Sequence, residues 1–386
     1  MKKNKLGREC RSIFINLIKT TIGSGILRYP FLFKMYGIWY TVVLTLISAL
    51  ASLLGLWLYI DLNDFYGLDN TMSTIARYIY PTLQPIVNVT VSVKCFLVCT
   101  AYLVLLKNNL PGTIRSIFGL ESDYKILCMA GVVLCVFPFV SMQKIDRLRY
   151  TSSFGFGAAI ALVVLSIYRY AVSKDVPVYT ESKDGNNYLG ELGSFVFGFT
   201  CHQNIFSVQN EMMVSDKTAL KITVFLVLLV ASLVYITFGL TNYLVLGDRM
   251  SENFFENIPE RMRNVVAMFY FLVIIMSIPL QTHPCRTYLL DLFDTRYSVD
   301  GKYWHLRFVT SIFIILLSFT IAMNVSKMER LCEVIGGSFS TLMCFIFASL
   351  YYFIAFWNRG FEMKKITALF VLLYGVAAFT SLFLAS

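Results

Sequence analysis

Charge is what this chain lacks most. Only 15% of its 386 residues are Asp, Glu, Lys or Arg, whereas soluble domains carry about 25%, and the mean hydropathy is +0.66. This excludes an ordinary soluble protein. Histidine is scarcer still. The chain has 3 and no paired acid and base near them, so an interfacial acyltransferase lacks its nucleophile and base cluster. The nine cysteines contain no CxxC pair and lie in or beside apolar runs. They read as small buried hydrophobes, with no disulfide framework and no metal site. There is no repeated filter sequence or ring of charge for a channel, and no series of alternating ten-residue segments for a barrel.

What is present is apolar length. Hydrophobic residues make up 57% of the chain, in continuous runs of about twenty residues, the length that crosses a hydrocarbon core. The runs predict an all-α polytopic membrane protein with about eleven spans, near 12–36, 38–60, 84–107, 125–142, 150–172, 189–211, 219–246, 264–292, 306–323, 331–356 and 365–384. The formal charge of +10 would suggest nucleic acid in a soluble protein. Here it fits Lys and Arg holding cytosolic loops, with a lipid bilayer as surroundings and no nucleic-acid partner. "MKKNKLGRECR" precedes an apolar run without a small-residue cleavage site, so it reads as a retained cytosolic segment, 1–11. "NVS" at Asn324 would then face the exterior as a glycan acceptor.

The first span contains "TTIGSGILRYP", Thr20–Pro30. Glycine costs a helix about 1 kcal/mol relative to alanine and proline about 3, and lipid offers a broken backbone no partners. The sixth span, "LGELGSFVFGFTCHQNIFSVQNE", repeats the oddity, with Gly193, Gly198, Thr200 and His202 interrupting an aromatic run. The two interruptions correspond if spans 1–5 (12–172) and 6–10 (189–356) are repeats, leaving 365–384 as a final helix. Paired interruptions point to an inverted-repeat secondary transporter with a midplane site. Restarting helices present unpaired N–H groups and the positive dipole end, which suit a carboxylate. Ending helices present carbonyls, which suit an ammonium group. A zwitterionic amino acid carries both charges. Close packing of small residues is the competing explanation of such glycines.

At these residues the chain resembles the amino acid/auxin permease family of the amino acid–polyamine–organocation superfamily. The resemblance runs through "INLIKTTIGSGILRYPFLFKMYG", "AYLVLLKNNLPG", "FVFGFTCHQNIFSVQNE", "IPLQTHPCRTYL" and "EVIGGSFSTLMCFIFASLYYF", in order and over nearly the whole chain. It implies a LeuT-type 5+5 inverted repeat with discontinuous helices 1 and 6. It also implies alternating-access transport of amino acids, coupled to protons or sodium. Carried over by position, the backbone of Ile22, Gly23, Ser24, Gly25 and Ile26 would hold the substrate carboxylate. Phe197, Gly198, Phe199, Thr200 and Cys201 would hold the amino group and supply a gate. Where sodium-coupled relatives often have Asn, this chain has Lys19, whose ammonium could replace the cation. The eighth span would complete that site from Ser277, Gln281 and Thr282. Gln203 stands where relatives often have proline, and Arg28 where most have a small residue.

Ionisable residues inside spans are functional candidates. Lys19 reads as a coupling residue, with snorkelling as its alternative. Arg28 reads as a salt-bridged or interfacial residue, with a gate or a substrate contact as its alternative, and Glu211 as an inner-gate ion pair with the basic amino terminus. For Lys94 and Glu333 a buried pairing is expected, and for His202 and His283 a satisfied core histidine rather than a proton sensor. The leading expectation is a proton-coupled carrier of neutral amino acids in a plasma or vacuole-like membrane, needing no cofactor and catalysing no reaction. The alternatives are a sensor that binds but transports little, and a sodium symporter.

Overall fold

A computed structural model describes residues 2–67, 70–119, 124–140, 149–173, 179, 192–210, 212, 216–294, 301–358 and 363–384. Among them every regular element is helical. α1 (Lys2–Thr21) ends just before Gly23, and a 3₁₀ turn (Ser24–Arg28) leads into α2 (Tyr29–Phe65). Inside α2, Gly37 adopts φ +73° and ψ 176°, a left-handed conformation that L side chains rarely take. It divides the first expected span from the second. α3 (Met72–Ile79) is a short connector, and α4 (Leu83–Phe118), α5 (Lys125–Val140) and α6 (Arg149–Val172) complete the first half.

The second half opens with α7 (Leu192–Gly198), a 3₁₀ turn (His202–Asn204) and α8 (Ile205–Asn210). Next come α9 (Lys217–Leu246), α10 (Glu260–Ile275), α11 (Ile278–Asp291) and α12 (Trp304–Asn324). α13 (Met328–Ile335) continues through two π-helical turns, Gly336–Ser340 and Leu342–Ile346, into α14 (Phe347–Ala355), and α15 (Met363–Leu384) closes the chain. α2 lies along α9, α4 along α11 and α10 along α6, while α1 packs between α6 and α9.

Among the described residues, 8 helical stretches are long and apolar enough to cross a membrane. The difference from about eleven has a physical basis. The stretch Gly25–Phe65 spans two expected segments, Lys125–Val140 is a shorter apolar helix, and the sixth segment is cut into pieces. Hydroxyls inside the helices turn back on the backbone, as Thr45 does to the Thr41 carbonyl (2.6 Å) and Ser232 to that of Leu228 (2.8 Å). Those two hydroxyls are thereby satisfied without water.

Not every glycine serves a break. Gly193 lies within α7, and a Cβ there would stand 2.6 Å from the Glu333 carbonyl and 2.7 Å from Gly337 N. A Cβ on Gly336 would in turn collide with the Gly193 carbonyl. These glycines let α7 touch the tenth segment backbone to backbone, so close packing explains Gly193.

Candidate functional site

Both expected breaks are present and they face each other. At the first, α1 ends at Thr21, and the Gly23 amide bonds the Thr21 carbonyl only two residues back (2.9 Å). The 3₁₀ turn from Ser24 starts without a side-chain cap. At the second, α7 ends at Gly198. Phe199 and Thr200 make only 3₁₀-type bonds, to Val196 and Phe197, and the restart at His202 is again uncapped. A Cβ on Gly25 would lie 3.1 Å from Gly198 Cα, and one on Gly23 would meet the Tyr102 hydroxyl. Ile22 and Ile26 bury their side chains completely, so this segment offers the space between the breaks its backbone.

The ends of the half-helices share a partner that the sequence reading missed. The Tyr235 hydroxyl of α9, fully buried, lies 2.7 Å from both the Thr21 and the Gly198 carbonyls. Its ring stacks on Tyr29 (centroids 4.4 Å apart) and takes Phe199 edge-on (5.3 Å). Free carbonyls expected for an ammonium group are therefore met by a phenol that ties both half-helices to α9. Phe199 is buried against this phenol, whereas Phe197 lines a cavity with Gly25, Arg28, Ser194, Glu252 and Phe254. Thr200 donates to the Val196 carbonyl (2.8 Å), and Cys201 is buried. Tyr102 was legible only as part of "AYLVLLKNNLPG", and Tyr235 had no local signal.

Lys19 is fully buried in the last turn of α1, where the helix dipole favours a cation. Its ammonium donates to the Val273 carbonyl (2.6 Å) and to Ser277 Oγ (2.5 Å). Those oxygens are free because the eighth segment breaks. Pro279 has no N–H for the Ile275 carbonyl and its ring crowds that position. The Ser277 amide bonds Ile274 instead of Val273 (2.8 Å), so the Val273 carbonyl turns to Lys19 and the Ser277 hydroxyl (2.7 Å). Gly155 of α6 makes the room, since a Cβ there would collide with the Lys19 stem.

Gln281 and Thr282 do not join Lys19. One turn further along α11, Gln281 Oε1 accepts from Lys94 (3.3 Å) and Gln203 (3.2 Å). Thr282 is rotated away, donating to the Ile278 carbonyl (3.0 Å) beside Cys99 (3.4 Å). Arg28 pairs with Glu252 (2.7 Å) in the loop after α9 and lies over the Phe31 ring, and Lys34 donates to the Met250 carbonyl of the same loop (2.7 Å). His202 is fully buried between the Tyr59 and Phe345 rings with the Ser52 backbone as its polar neighbour, the setting expected of a core histidine. Lys94 has an amide partner in Gln281 and, among the described residues, no ion pair. Glu211 lies outside the described residues.

Two broken half-helices, a third broken segment whose oxygens hold the Lys19 ammonium, and uncapped backbone between them define a multi-pass membrane carrier of the LeuT-type fold. The profile of the transmembrane amino acid transporter protein family matches residues 8–386, and the chain belongs to that family. It is similar to vacuolar amino acid transporter 5 of Schizosaccharomyces pombe, 30% identical over 352 residues that cover 89% of this chain and 84% of the relative. It is also similar to vacuolar amino acid transporter 5 of Saccharomyces cerevisiae, at 24% identity over 88% of this chain and 87% of the relative. Among solved structures, MhsT in complex with L-phenylalanine shares the fold, with a TM-score of 0.63 and 10% identity over 97% of this chain and 98% of that one.

Proposed function

We propose that the chain moves α-amino acids by alternating access in symport with protons, that Lys19 is the coupling residue, and that it works in a vacuole-like membrane with its amino terminus in the cytosol. The uncapped N–H groups at Ser24 and Gly25 receive the substrate carboxylate, and the lone pair that the Tyr235 hydroxyl leaves on the Gly198 carbonyl, with the Phe199 carbonyl, receives the amino group. The substrate's own dipole is then matched to the ends of the broken helices. The names of the vacuolar relatives support both the substrate class and the membrane.

One observation carries the proton reading: the Lys19 ammonium already holds the Val273 and Ser277 oxygens. A sodium ion would need oxygens of this kind, and a protonated lysine supplies the same single charge. When Lys19 loses its proton, α1 loses its charged tie to the break between α10 and α11, and the two elements are free to separate.

Purified protein in vesicles, given a proton gradient and a sodium gradient in separate runs, tests this. One proton per substrate stores about 1.4 kcal/mol per pH unit, which is about tenfold accumulation. The wild type is expected to concentrate a labelled neutral amino acid about tenfold per unit, and Lys19→Met to equilibrate it without concentrating it. Accumulation driven by sodium alone, or an unchanged pH-driven gradient in Lys19→Met, would overturn the coupling. Binding of amino acids with no flux under either gradient would make the chain a sensor.

A further inference from the structure

Lys94 has no role in the cradle or at the Lys19 site, yet it is only 1% exposed in the middle of a bundle. Among the described residues its ammonium has one acceptor, Gln281 Oε1 at 3.3 Å, and no carboxylate pairs with it. An ammonium group taken from water needs paired charge or several oxygens in exchange, and one neutral oxygen is poor compensation. The oxygen of Gln281 is shared with Gln203 Nε2 (3.2 Å), while Gln203 Oε1, also buried, has no hydrogen-bond partner among the described residues.

The position of this cluster is as telling as its composition. Gln281 reaches toward the Tyr102 hydroxyl, the group that stands where a Cβ on Gly23 would be. Lys94 itself lies within electrostatic reach of Cys201 and His202 at the second break. A line of polar groups thus runs from the first break through Tyr102 and Gln281 to an uncompensated cation beside the second.

We propose that Lys94, Gln281 and Gln203 form the subsite for the substrate's side chain, and that it gives this carrier a preference for amino acids ending in a carboxylate, aspartate and glutamate. The inference rests on the reading that the substrate's main chain lies between the breaks. The side-chain carboxylate provides the negative charge Lys94 lacks, and the Gln203 and Gln281 amide N–H groups are donors on its flanks. A hydrocarbon side chain leaves the ammonium uncompensated. An amide side chain offers an oxygen without the charge and falls between.

The test compares uptake of labelled L-glutamate with that of labelled L-norvaline, an apolar side chain without the carboxylate, in vesicles holding the full chain. Wild type is expected to take up glutamate at least tenfold better at equal low concentration. Lys94→Met is expected to lower glutamate uptake at least tenfold more than norvaline uptake, and Lys94→Arg to keep the glutamate preference. If Lys94→Met does not fold, Gln281→Leu gives the same comparison and is expected to lower glutamate uptake selectively. Norvaline uptake that equals or exceeds glutamate uptake in wild type would overturn the subsite while leaving the carrier standing. A variant that lowers both substrates equally would also overturn it. Absence of uptake for every amino acid would instead sink the transporter reading on which it rests.

Discussion

Gly25 offers the sharpest test of how closely the two breaks approach. A Cβ there lies 3.1 Å from Gly198 Cα and 3.7 Å from Phe197 Cδ1. The first distance is a few tenths of an ångström inside normal contact, and the obstacle is backbone, which cannot swing aside as a side-chain tip can. Overpacking of this kind costs about 1–3 kcal/mol, or about a five- to 150-fold loss of the state in which the breaks meet. The atoms nearest a Cβ on Gly198 belong to the Tyr235 and Tyr29 side chains, at 3.4 Å, at the edge of ordinary contact. Gly25→Ala is therefore expected to lower the uptake rate in vesicles by one to two orders of magnitude. Gly25→Val should abolish uptake, and Gly198→Ala should cost less than either. Thermal melting of the detergent-solubilised variants separates lost transport from lost folding. Full uptake by Gly25→Ala alongside a dead Gly198→Ala would refute the geometry.

Three further outcomes follow from named contacts. Tyr235→Phe leaves the Thr21 and Gly198 carbonyls without their shared donor, at about 1–3 kcal/mol; lowered melting temperature and uptake are expected, and an unchanged protein would show that the phenol is not the tie between the half-helices. Arg28→Gln breaks the bond to Glu252, whose side chain is 54% exposed, so about 0–1 kcal/mol of stability is at stake. Its effect should appear as faster opening of the cavity at Phe197, read as quicker labelling of a cysteine placed there, and unaltered labelling would remove Arg28 from the gate. Asp61 is 6% exposed and holds Lys217 (2.9 Å), Lys221 (2.7 Å) and Lys364 (3.1 Å) from α9 and α15. Asp61→Asn leaves Lys221 and Lys364 beside Lys217, which alone keeps a carboxylate, Asp64 (2.8 Å), among the described residues, and a loss of about 1–3 kcal/mol of stability is expected, measured by thermal melting at low and high salt, with a smaller difference in high salt.

Each part was legible in the sequence to the degree that it is a local property of the chain. Gly23, Gly25 and Gly198 are read directly, because a glycine inside an apolar run weakens a helix wherever it sits. Gly193 looked the same and is something else, since only its neighbour across the interface, Gly336, shows that it packs. Lys19 was visible as a charge in a span, and Ser277 was rightly expected beside it. Gln281 and Thr282 were not separable from Ser277 without the register and the break at Met276–Ser277.

Composition and run length by themselves determined that the chain crosses a membrane as helices, because burying backbone in lipid leaves few alternatives. Paired glycine breaks determined where the backbone would open, because that cost is paid residue by residue. Which groups meet those openings was decided by tertiary structure alone. Tyr235 reaches both half-helices from more than thirty residues beyond Gly198, and Lys94 finds Gln281 across 187 positions of sequence. Contacts of that range depend on how helices cross and rotate against one another, a property of the assembled bundle and of no single segment.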